Sequence, residues 1–312
     1  MKTPLLKLLA ITMGVALLCS EAFASSTMIS VHRFKELEQK VNELGLEDLP
    51  KTLVVMDDDD TLTMMGCQGQ TEANTCQYLG GPAWFSWQSG LAKDSPYCVA
   101  NSFEDLLKIS SLLLAINDMV YTEHDVPTVL NSLTGSKVHL LVLTARGPSN
   151  SSTTARQFSD LPVTGPEHMN FLELIRHNSL IGNRSQIHSI ASPFIPCDES
   201  KAKSVSYQQG IMYVAGQNKG EMLKCLLNST ESSFIKHIFF IDDTLENVKD
   251  VHAAFEDSKK YNVIAIHYMA LEAHKKALTK GPMAETYQNN AKGRWDKIKK
   301  TLDLELENPA LP

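Results

Sequence analysis

The amino-acid sequence predicts an α/β fold, a doubly wound parallel sheet with an inserted cap after the first strand. Two observations carry this prediction. Short apolar runs rich in β-branched residues alternate with segments of helical periodicity, as in parallel strands joined by crossover helices. The first such run, Leu53–Met56, ends in four consecutive aspartates, and open α/β sheets bind ligands at the carboxyl ends of their strands.

Composition limits the class of protein. The 312 residues include 29 Lys and Arg against 36 Asp and Glu, which gives a net charge of −7. This acidity gives no electrostatic reason to expect a nucleic acid as a partner. Because 43% of the residues are hydrophobic, the chain is able to bury a sizeable core, as one large domain or as a domain with an insertion.

Residues 1–24 are predicted to be an export signal. Two early lysines precede an apolar run over residues 8–18, and Ala22-Phe23-Ala24 forms a small-x-small cleavage site. The apolar run is too short for a helix to cross a bilayer core of about 30 Å. We therefore expect cleavage after Ala24, no stable membrane anchor, and a periplasmic or secreted protein.

The cysteines fit this expectation but leave their pairing open. Five remain in the predicted mature chain: Cys67, Cys76, Cys98, Cys197 and Cys225. An oxidising compartment outside the cytoplasm favours disulfides. Because five is an odd number, at least one thiol is free or pairs between chains.

The sequence pattern over residues 30–125 predicts a helix, a strand and the inserted cap. Residues 30–48 carry apolar side chains at helical spacing, and the strand at Leu53–Met56 follows. Residues 64–125 are predicted to form the cap, where glycines and prolines mark turns between aromatic side chains. Ser102–Asp105 has the form of a capping box before an apolar helix to about Met119. We interpret the aromatic side chains as a small packed core, with direct substrate contacts as the alternative.

After the cap, the chain returns to alternating helices and strands, so the core domain is predicted to comprise residues 25–63 and 126–312. The predicted elements are helices at 127–133, 151–158, 245–255 and 284–304, a helix after residue 220, and strands at 138–144, 211–214, 238–241 and 263–266. Residues 160–209 are harder to interpret, because prolines interrupt a helix predicted at 171–177. We take them as a second excursion that contains one core element.

The four aspartates Asp57–Asp60 can be aligned in two registers. In one of them, Asp57-x-Asp59-x-Thr61 places a hydroxyl group two residues after the second acid. The register that begins one residue later has a leucine at the position of the hydroxyl. Only the first register resembles Asp-x-Asp-x-Thr, the opening motif of the haloacid dehalogenase superfamily of phosphotransferases.

Three later features resemble the other motifs of this superfamily, in the same order. Thr144 ends a predicted strand, Lys219 begins a predicted helix, and Asp242-Asp243 end another strand. Together the four motifs cover about residues 50–268. The chain is similar to exported bacterial members of the superfamily, and this implies a Rossmann-like core with a cap over the site.

The resemblance implies phosphoryl transfer and assigns the catalytic roles. Asp57 would attack phosphorus and form an aspartyl-phosphate. Asp59 would protonate the departing oxygen, and would then take a proton from the water that hydrolyses the intermediate. Thr144 would donate to the phosphoryl group, and Lys219 would supply positive charge to the nucleophile and phosphate.

Three further residues are candidates for substrate binding: Thr61, Ala145 and Arg146. The hydroxyl of Thr61 belongs to the opening motif, and the backbone amides beside Thr144 can donate to a phosphoryl group. Arg146 has two interpretations, contact with the phosphate or the capping of a turn.

Magnesium is the cofactor that the resemblance implies. Several carboxylates held together need a cation, and Mg²⁺ prefers oxygen ligands while it keeps waters and substrate phosphate in its shell. Asp57 and Asp242 would bind it through carboxylates and Asp59 through its backbone carbonyl, with Asp243 as a further ligand. A calcium-binding EF-hand loop does not fit, because Leu62 stands where that loop requires glycine.

The resulting prediction is an exported, Mg²⁺-dependent phosphatase that acts on a small phosphorylated substrate or a phosphoprotein. A phosphomutase would use the same core chemistry and stays open, whereas Asp59 counts against a dehalogenase, which has no leaving alkoxide to protonate. A catalytically silent protein that binds a protein or glycan through the aromatic insertion is the alternative from another class. A purely structural metal site is a third possibility, for which Lys219 is unnecessary.

Overall fold

The computed structural model describes residues 25–66, 78–163, 169–183, 187–195 and 202–307. The strands within these ranges are β1 (Ser26–Val31), β2 (Thr52–Met56), β3 (Thr63–Met65), β4 (Met119–Tyr121), β5 (His139–Thr144), β6 (Ser206–Gln208), β7 (Ile211–Tyr213), β8 (His237–Asp242) and β9 (Asn262–Tyr268). The α-helices are α1 (Phe34–Val41), α2 (Pro82–Ser89), α3 (Phe103–Ile116), α4 (Val126–Gly135), α5 (Ser151–Ser159), α6 (Phe171–Asn178), α7 (Lys219–Ser229), α8 (Leu245–Phe255), α9 (Glu272–Ala277) and α10 (Ala284–Glu305). The predicted export signal lies outside the described residues.

Seven strands form the central sheet in the order β1-β9-β8-β2-β5-β7-β6. All neighbouring pairs are parallel except β6 and β7. Every residue of the central strand β2 is buried, and its side chains alternate between two cores. Val54 and Met56 pack in the cluster that includes α1, α4, α5 and α6, whereas Leu53 and Val55 pack with α7 and α8. The predicted α/β fold with a mostly parallel sheet is confirmed.

The N-terminal region differs from the helix predicted over residues 30–48. Among the described residues strand β1 comes first and pairs in parallel with β9 along its whole length, so β2 follows a strand that the sequence did not predict. Helix α1 is shorter than predicted and ends at Val41, before Gly45. The strand was missed because it lies at the sheet edge, where its polar side chains stay exposed and the apolar run is broken.

Within its described residues, the segment after β2 contains two helices and a small sheet of its own. Strands β3 and β4 pair antiparallel and bracket helices α2 and α3. As predicted, the Ser102 hydroxyl caps α3 by accepting a hydrogen bond from the amide of Asp105 at 3.1 Å. The helix ends earlier than expected, at Ile116, and Met119 instead begins β4.

This insertion shares its hydrophobic core with the C-terminal helix. Trp84 of α2 and Leu113 of α3 lie in the same buried cluster as Trp295 of α10. Tyr78 stacks on the ring of His274, with centroids 4.5 Å apart, and donates a hydrogen bond to its carbonyl at 2.8 Å. The interpretation of the aromatic side chains as a packed core is confirmed for Tyr78 and Trp84, and the core includes a helix that the sequence placed with the main domain.

The region from 160 to 209 contributes one capped helix and one edge strand within its described residues. The side chain of Asn170 caps α6 by accepting from the amide of Glu173 at 2.9 Å. Strand β6 extends the central sheet as the antiparallel partner of β7. Apolar side chains of α6, among them Phe171 and Ile175, pack into the core on one face of the sheet.

Cysteine pairing and membrane character bear on the predicted compartment. Cys98 is a free thiol and Cys225 is disulfide-bonded. The predictions for Cys67, Cys76 and Cys197 fall outside the described residues. Across the part of the chain that the structure describes, we find no helix with the length and apolar character needed to cross a membrane.

The shared core of the insertion and α10 gives a stability prediction. Trp295 is 2% exposed, so we expect Trp295→Ala to lower the free energy of unfolding by about 3–5 kcal/mol through the cavity that it leaves. Leu304 on the same helix is 72% exposed, and Leu304→Ala should change the free energy of unfolding by less than about 0.5 kcal/mol. Urea unfolding measures both variants. Equal effects would contradict a shared core.

Candidate active site

Three neighbouring strands end at the same edge of the sheet. Because β8, β2 and β5 are parallel, their carboxyl ends bring Asp242, Asp57 and Thr144 to one region. Met56 pairs with Val142 on one side and Ile241 on the other. The next amide, that of Asp57, donates to the carbonyl of Ile241 at 3.0 Å. The polar side chains that follow β2 therefore lie between two other strand ends.

Lys219 is a buried cation between two of these carboxylates. Its side chain is 1% exposed, and Nζ donates to Asp57 Oδ1 at 2.5 Å and to Asp242 Oδ2 at 2.7 Å. Lys219 is the first residue of α7, whose N-cap Asn218 accepts from the amide of Glu221 at 2.9 Å. The start of the helix thus aims the ammonium group at the end of β2.

Gly220 sets how closely this helix approaches the neighbouring helix. A Cβ atom at Gly220 would lie only 2.4 Å from the carbonyl oxygen of Asp250 in α8. A side chain at this position would push α7 away from α8, since backbone atoms cannot give way as a flexible side chain can. The position of the Lys219 ammonium group therefore depends on a glycine one residue further along.

Burial shapes the electrostatics of this pair. Burial raises the pKa of Asp57 well above its usual range, and the lowering effect of Lys219 does not offset it. For Lys219, burial opposes the charged form, but the carboxylates of Asp242 and Asp57 raise its pKa. A further cation at this place would favour the ionised carboxylate of Asp57, which is the nucleophilic form.

Asp57, Asp242 and Asp243 form a group that fits a metal ion. Each offers a carboxylate oxygen, and these atoms all lie within 4.8 Å of one another. Asp242 is held in place on its outer side, since its Oδ1 accepts from the amide of Thr244 at 2.8 Å and both its oxygens accept from Asn247 Nδ2 at 3.1 Å. Hard oxygen donors of this kind suit Mg²⁺.

The net charge around these three aspartates also favours a bound metal ion. Among the described residues, six carboxylates lie here with three cations: Asp57, Asp58, Asp59, Asp60, Asp242 and Asp243 with Lys219, Arg146 and Lys275. With all groups ionised, six negative against three positive charges leave an excess of three negative charges. Such an excess in a mostly buried place favours a divalent cation.

Thr61 and Asp243 connect the loop after β2 to the loop after β8. The buried hydroxyl of Thr61 accepts from the amide of Asp243 at 3.0 Å, and its carbonyl accepts from the hydroxyl of Thr122 at 2.6 Å. The carboxylate of Asp243 accepts from Lys275 of α9. Burial raises the pKa of Asp243, the carboxylate of Asp242 adds to this, and Lys275 opposes it. The predicted substrate contact of Thr61 stays a prediction.

Asp59 is the most exposed of the four aspartates and is held by Arg146. The guanidinium group donates from Nε to Asp59 Oδ2 at 2.8 Å and from Nη2 to Oδ1 at 2.7 Å. Its Nη1 donates to Thr154 at 2.9 Å and to Gln157 at 2.8 Å. Nη1 also forms an ion pair with Asp58 Oδ2 at 3.1 Å, so all three nitrogens of Arg146 are engaged and two aspartates share its charge. Neither alternative for Arg146, phosphate contact or turn cap, anticipated this bidentate pair.

Asp58 and Asp60 determine the conformation of the loop after β2. The buried Asp58 accepts from the hydroxyl of Thr63 at 2.6 Å, and burial raises its pKa to about 6. Asp60 adopts the left-handed conformation, with φ 62°, and its amide donates to the carbonyl of Thr63 at 2.7 Å. Aspartate tolerates this conformation better than most residues. The turn leaves Asp57 facing Lys219 and Asp59 facing Arg146.

Sequence reasoning missed Lys275 and Gln157, which complete the surroundings of the site. Lys275 lies in the short charged helix α9, and Gln157 is buried in α5. Neither belongs to a motif, so only their contacts distinguish them. Ala145 is exposed beside Thr144, where its backbone carbonyl accepts from the amide of Gly216 at 2.9 Å.

The buried ion pair gives a second stability prediction. Lys219→Met keeps an unbranched apolar stem but leaves two carboxylates without their cation, so we expect a loss of about 3–5 kcal/mol in the free energy of unfolding. Lys249→Met, at a side chain that is 55% exposed, should cost less than about 0.5 kcal/mol. Urea unfolding in chelator gives both values, and a Lys219→Met variant as stable as the control would show that the pair does not stabilise the site.

Comparison with known proteins places the chain in a family. One similar solved structure is the crystal structure of cytosolic 5′-nucleotidase IIIB bound to cytidine, at 13% sequence identity and a TM-score of 0.33, over 85% of this chain and 92% of that one. No curated protein sequence gives a significant match. Residues 30–308 match the model of the family described as protein of unknown function DUF2608. Because this match spans most of the chain, the protein belongs to the DUF2608 family.

Proposed function

We propose that the protein is a Mg²⁺-dependent phosphatase that hydrolyses a phosphomonoester through an aspartyl-phosphate. One observation carries the proposal: Asp57, at the end of the central strand, shares the buried cation Lys219 with Asp242. A nucleophile, positive charge and carboxylates suited to a metal ion are the parts that phosphoryl transfer requires. In this protein, Asp57, Lys219 and the carboxylates of Asp242 and Asp243 lie next to one another at the end of β2.

Asp57 is the proposed nucleophile because its carboxyl group lies at the end of the central strand in contact with Lys219. A carboxylate oxygen of Asp57 would form a bond to phosphorus while the bond from phosphorus to the leaving oxygen breaks. Lys219 limits the repulsion between this carboxylate and the anionic phosphoryl group. When bound by Asp57, Asp242 and Asp243, with the backbone carbonyl of Asp59, Mg²⁺ would neutralise charge on the phosphoryl oxygens.

Asp59 is placed for proton transfer. It is two residues from Asp57 and is partly open to solvent, with 22% of its side chain exposed, so a substrate group and water can reach it. It would give a proton to the leaving oxygen, and would take one back from the water that attacks the aspartyl-phosphate. Arg146 fixes the direction of the carboxyl group. In the form that gives a proton, one oxygen of Asp59 would still accept from the guanidinium group while the other carries the proton to the leaving oxygen.

The remaining candidates would bind the phosphoryl group. Thr144 and the exposed residue Ala145 lie at the end of the strand next to Asp57. Their hydroxyl and amide groups are donors of the kind that phosphoryl oxygens accept. Thr61 would contribute from the same loop as Asp57, and Arg146 would act on the substrate through Asp59.

Hydrolysis, rather than transfer within a substrate, fits the proposed location. The signal pattern in residues 1–24 supports export, and the disulfide bond of Cys225 is typical of oxidising compartments. Outside the cytoplasm, phosphatases release phosphate from small phosphorylated compounds or phosphoproteins. We propose such a substrate and a periplasmic or secreted protein.

Loss of the nucleophile tests the mechanism. We expect Asp57→Asn to lower kcat on p-nitrophenyl phosphate at least about a thousandfold, because a neutral amide cannot attack phosphorus. Asp303→Asn, on the exposed face of α10, is the matched control and should keep the wild-type rate. Unchanged hydrolysis by Asp57→Asn would refute the nucleophile. Failure of the wild-type protein on a broad panel of phosphomonoesters would favour a silent binding protein instead.

Metal binding is testable without turnover. Calorimetric titration of the chelator-treated protein with MgCl₂ should show one binding event, and Asp242→Asn should weaken it at least about tenfold, because a ligand charge is lost. Asp303→Asn should bind like the wild type. Equal affinity in Asp242→Asn, or full phosphatase activity after thorough chelation, would contradict the proposed metal site.

A further inference from the structure

A buried glutamine connects the insertion to the proposed acid. Gln157 in α5 is 1% exposed, and both ends of its amide are used. Nε2 donates to the carbonyl of Leu114 at 2.8 Å and to that of Asn117 at 3.3 Å. Oε1 accepts from Arg146 Nη1 at 2.8 Å. A single side chain thus joins the insertion to the residue that holds Asp59.

The insertion end of this connection is well defined. Helix α3 ends at Ile116, and the carbonyl groups in the last turn of a helix have no partner within the helix. The amide of Gln157 satisfies Leu114 in that turn, and also contacts Asn117 just beyond it. From there the chain enters β4 and returns to the core. Gln157 therefore contacts the insertion where its longest helix ends.

At the other end of the connection, Arg146 sets the orientation of the Asp59 carboxyl group. The guanidinium group is planar, so its nitrogens turn together when one of them loses a partner. Nη1 of Arg146 is held by Gln157 and Thr154 and forms an ion pair with Asp58 Oδ2 at 3.1 Å, while Nε and Nη2 contact the two oxygens of Asp59. Of these contacts, only that of Gln157 continues to the insertion. Loss of Gln157 would leave Nη1 to Thr154 and Asp58, so the guanidinium group would turn towards Asp58 and present a less well-aligned pair of donors to Asp59.

We infer that Gln157 is a positioning residue that couples docking of the insertion to the orientation of Asp59. The inference rests on the proposed function and adds that docking of the insertion governs the proton-transfer step. When the insertion packs against α5, its carbonyl groups fix Gln157, Gln157 fixes Arg146, and Arg146 directs Asp59. When the insertion moves away, the amide loses its acceptors and the acid loses its fixed direction.

The adjacent residue provides a matched control. Arg156 also contacts the end of α3, through Nη2 to the carbonyl of Asn117 at 3.0 Å and Nη1 to Asp118 at 3.2 Å. Its side chain is 41% exposed, and its other ion pair is with Asp160 in its own segment. Arg156 thus supports docking of the insertion without contacting the group that holds Asp59.

Two substrates separate the proton-transfer step from the rest of catalysis. Dinitrophenolate leaves without protonation, whereas the alkoxide of glycerol phosphate needs an acid. The comparison uses kcat/KM, which reports the steps up to formation of the aspartyl-phosphate and leaves out its hydrolysis, a step that both substrates share. We expect Gln157→Leu to lower kcat/KM on glycerol phosphate by about 10- to 100-fold, because a misdirected acid transfers its proton poorly. For 2,4-dinitrophenyl phosphate, kcat/KM should change by less than about threefold, because its leaving group needs no proton. Arg156→Gln keeps both contacts of Gln157 and should leave the ratio of the two kcat/KM values at the wild-type value.

A second variant separates the two ends of the connection. Gln157→Glu has nearly the same shape and keeps an acceptor for Arg146, but it cannot donate to the carbonyl groups of Leu114 and Asn117. We expect the same selective loss on glycerol phosphate, since the contact with the insertion is removed. A wild-type ratio in Gln157→Glu would overturn the coupling, because holding Arg146 alone would then be sufficient.

The outcomes distinguish this inference from the proposed function. If the wild-type protein hydrolyses neither substrate in the presence of MgCl₂, the proposed function fails and the coupling fails with it. If the wild type is active and Gln157→Leu lowers both kcat/KM values equally, the coupling is overturned and the phosphatase proposal stands. Circular dichroism and thermal unfolding of each variant establish that the compared proteins are folded.

Discussion

The buried contact of Lys219 with Asp57 and Asp242 is the interaction on which the rest of the site depends. Three charged groups are taken out of water here, and such groups are stable only when each is paired and hydrogen-bonded. The pairing needs β2 and β8 side by side, so that their last residues meet, and it needs α7 close enough to deliver its first side chain. Gly220 permits that close approach to α8. Helix packing and electrostatics are therefore set by neighbouring residues of one chain segment.

The other cations of the site follow the same arrangement. Arg146, from the loop after β5, contacts Asp59, and Lys275, from α9, contacts Asp243. Three parts of the chain thus each contribute one cation to a cluster of carboxylates. The loop after β2 is held from several sides, which fixes its conformation while negative charge remains in excess. A site that is rigid and still short of positive charge is suited to a divalent cation, because the ion completes it without rearrangement.

The insertion is part of this arrangement. Its helices share a buried core with α10, so the C-terminal helix and the segment after β2 pack together despite their separation in sequence. The end of α3 rests on α5 through the side chains of Arg156 and Gln157. Only the second of these continues to Arg146. Two adjacent residues of α5 therefore provide a contact for docking and a contact that reaches the site, and the inferred effect of the insertion on Asp59 depends on the second.

The sequence by itself determined the central strands and the set of residues at their ends. Strands β2, β5 and β8 were predicted because buried parallel strands read as continuous apolar runs, and the register of Asp57 and Asp59 followed from the hydroxyl of Thr61. Strand β1 was not predicted, since an edge strand need not be apolar. Only the tertiary structure decided the partners: Lys275 lies 32 residues from Asp243, and Gln157 lies 43 residues from Leu114. Local periodicity reports which side chains are buried, whereas packing of distant elements decides which polar groups meet.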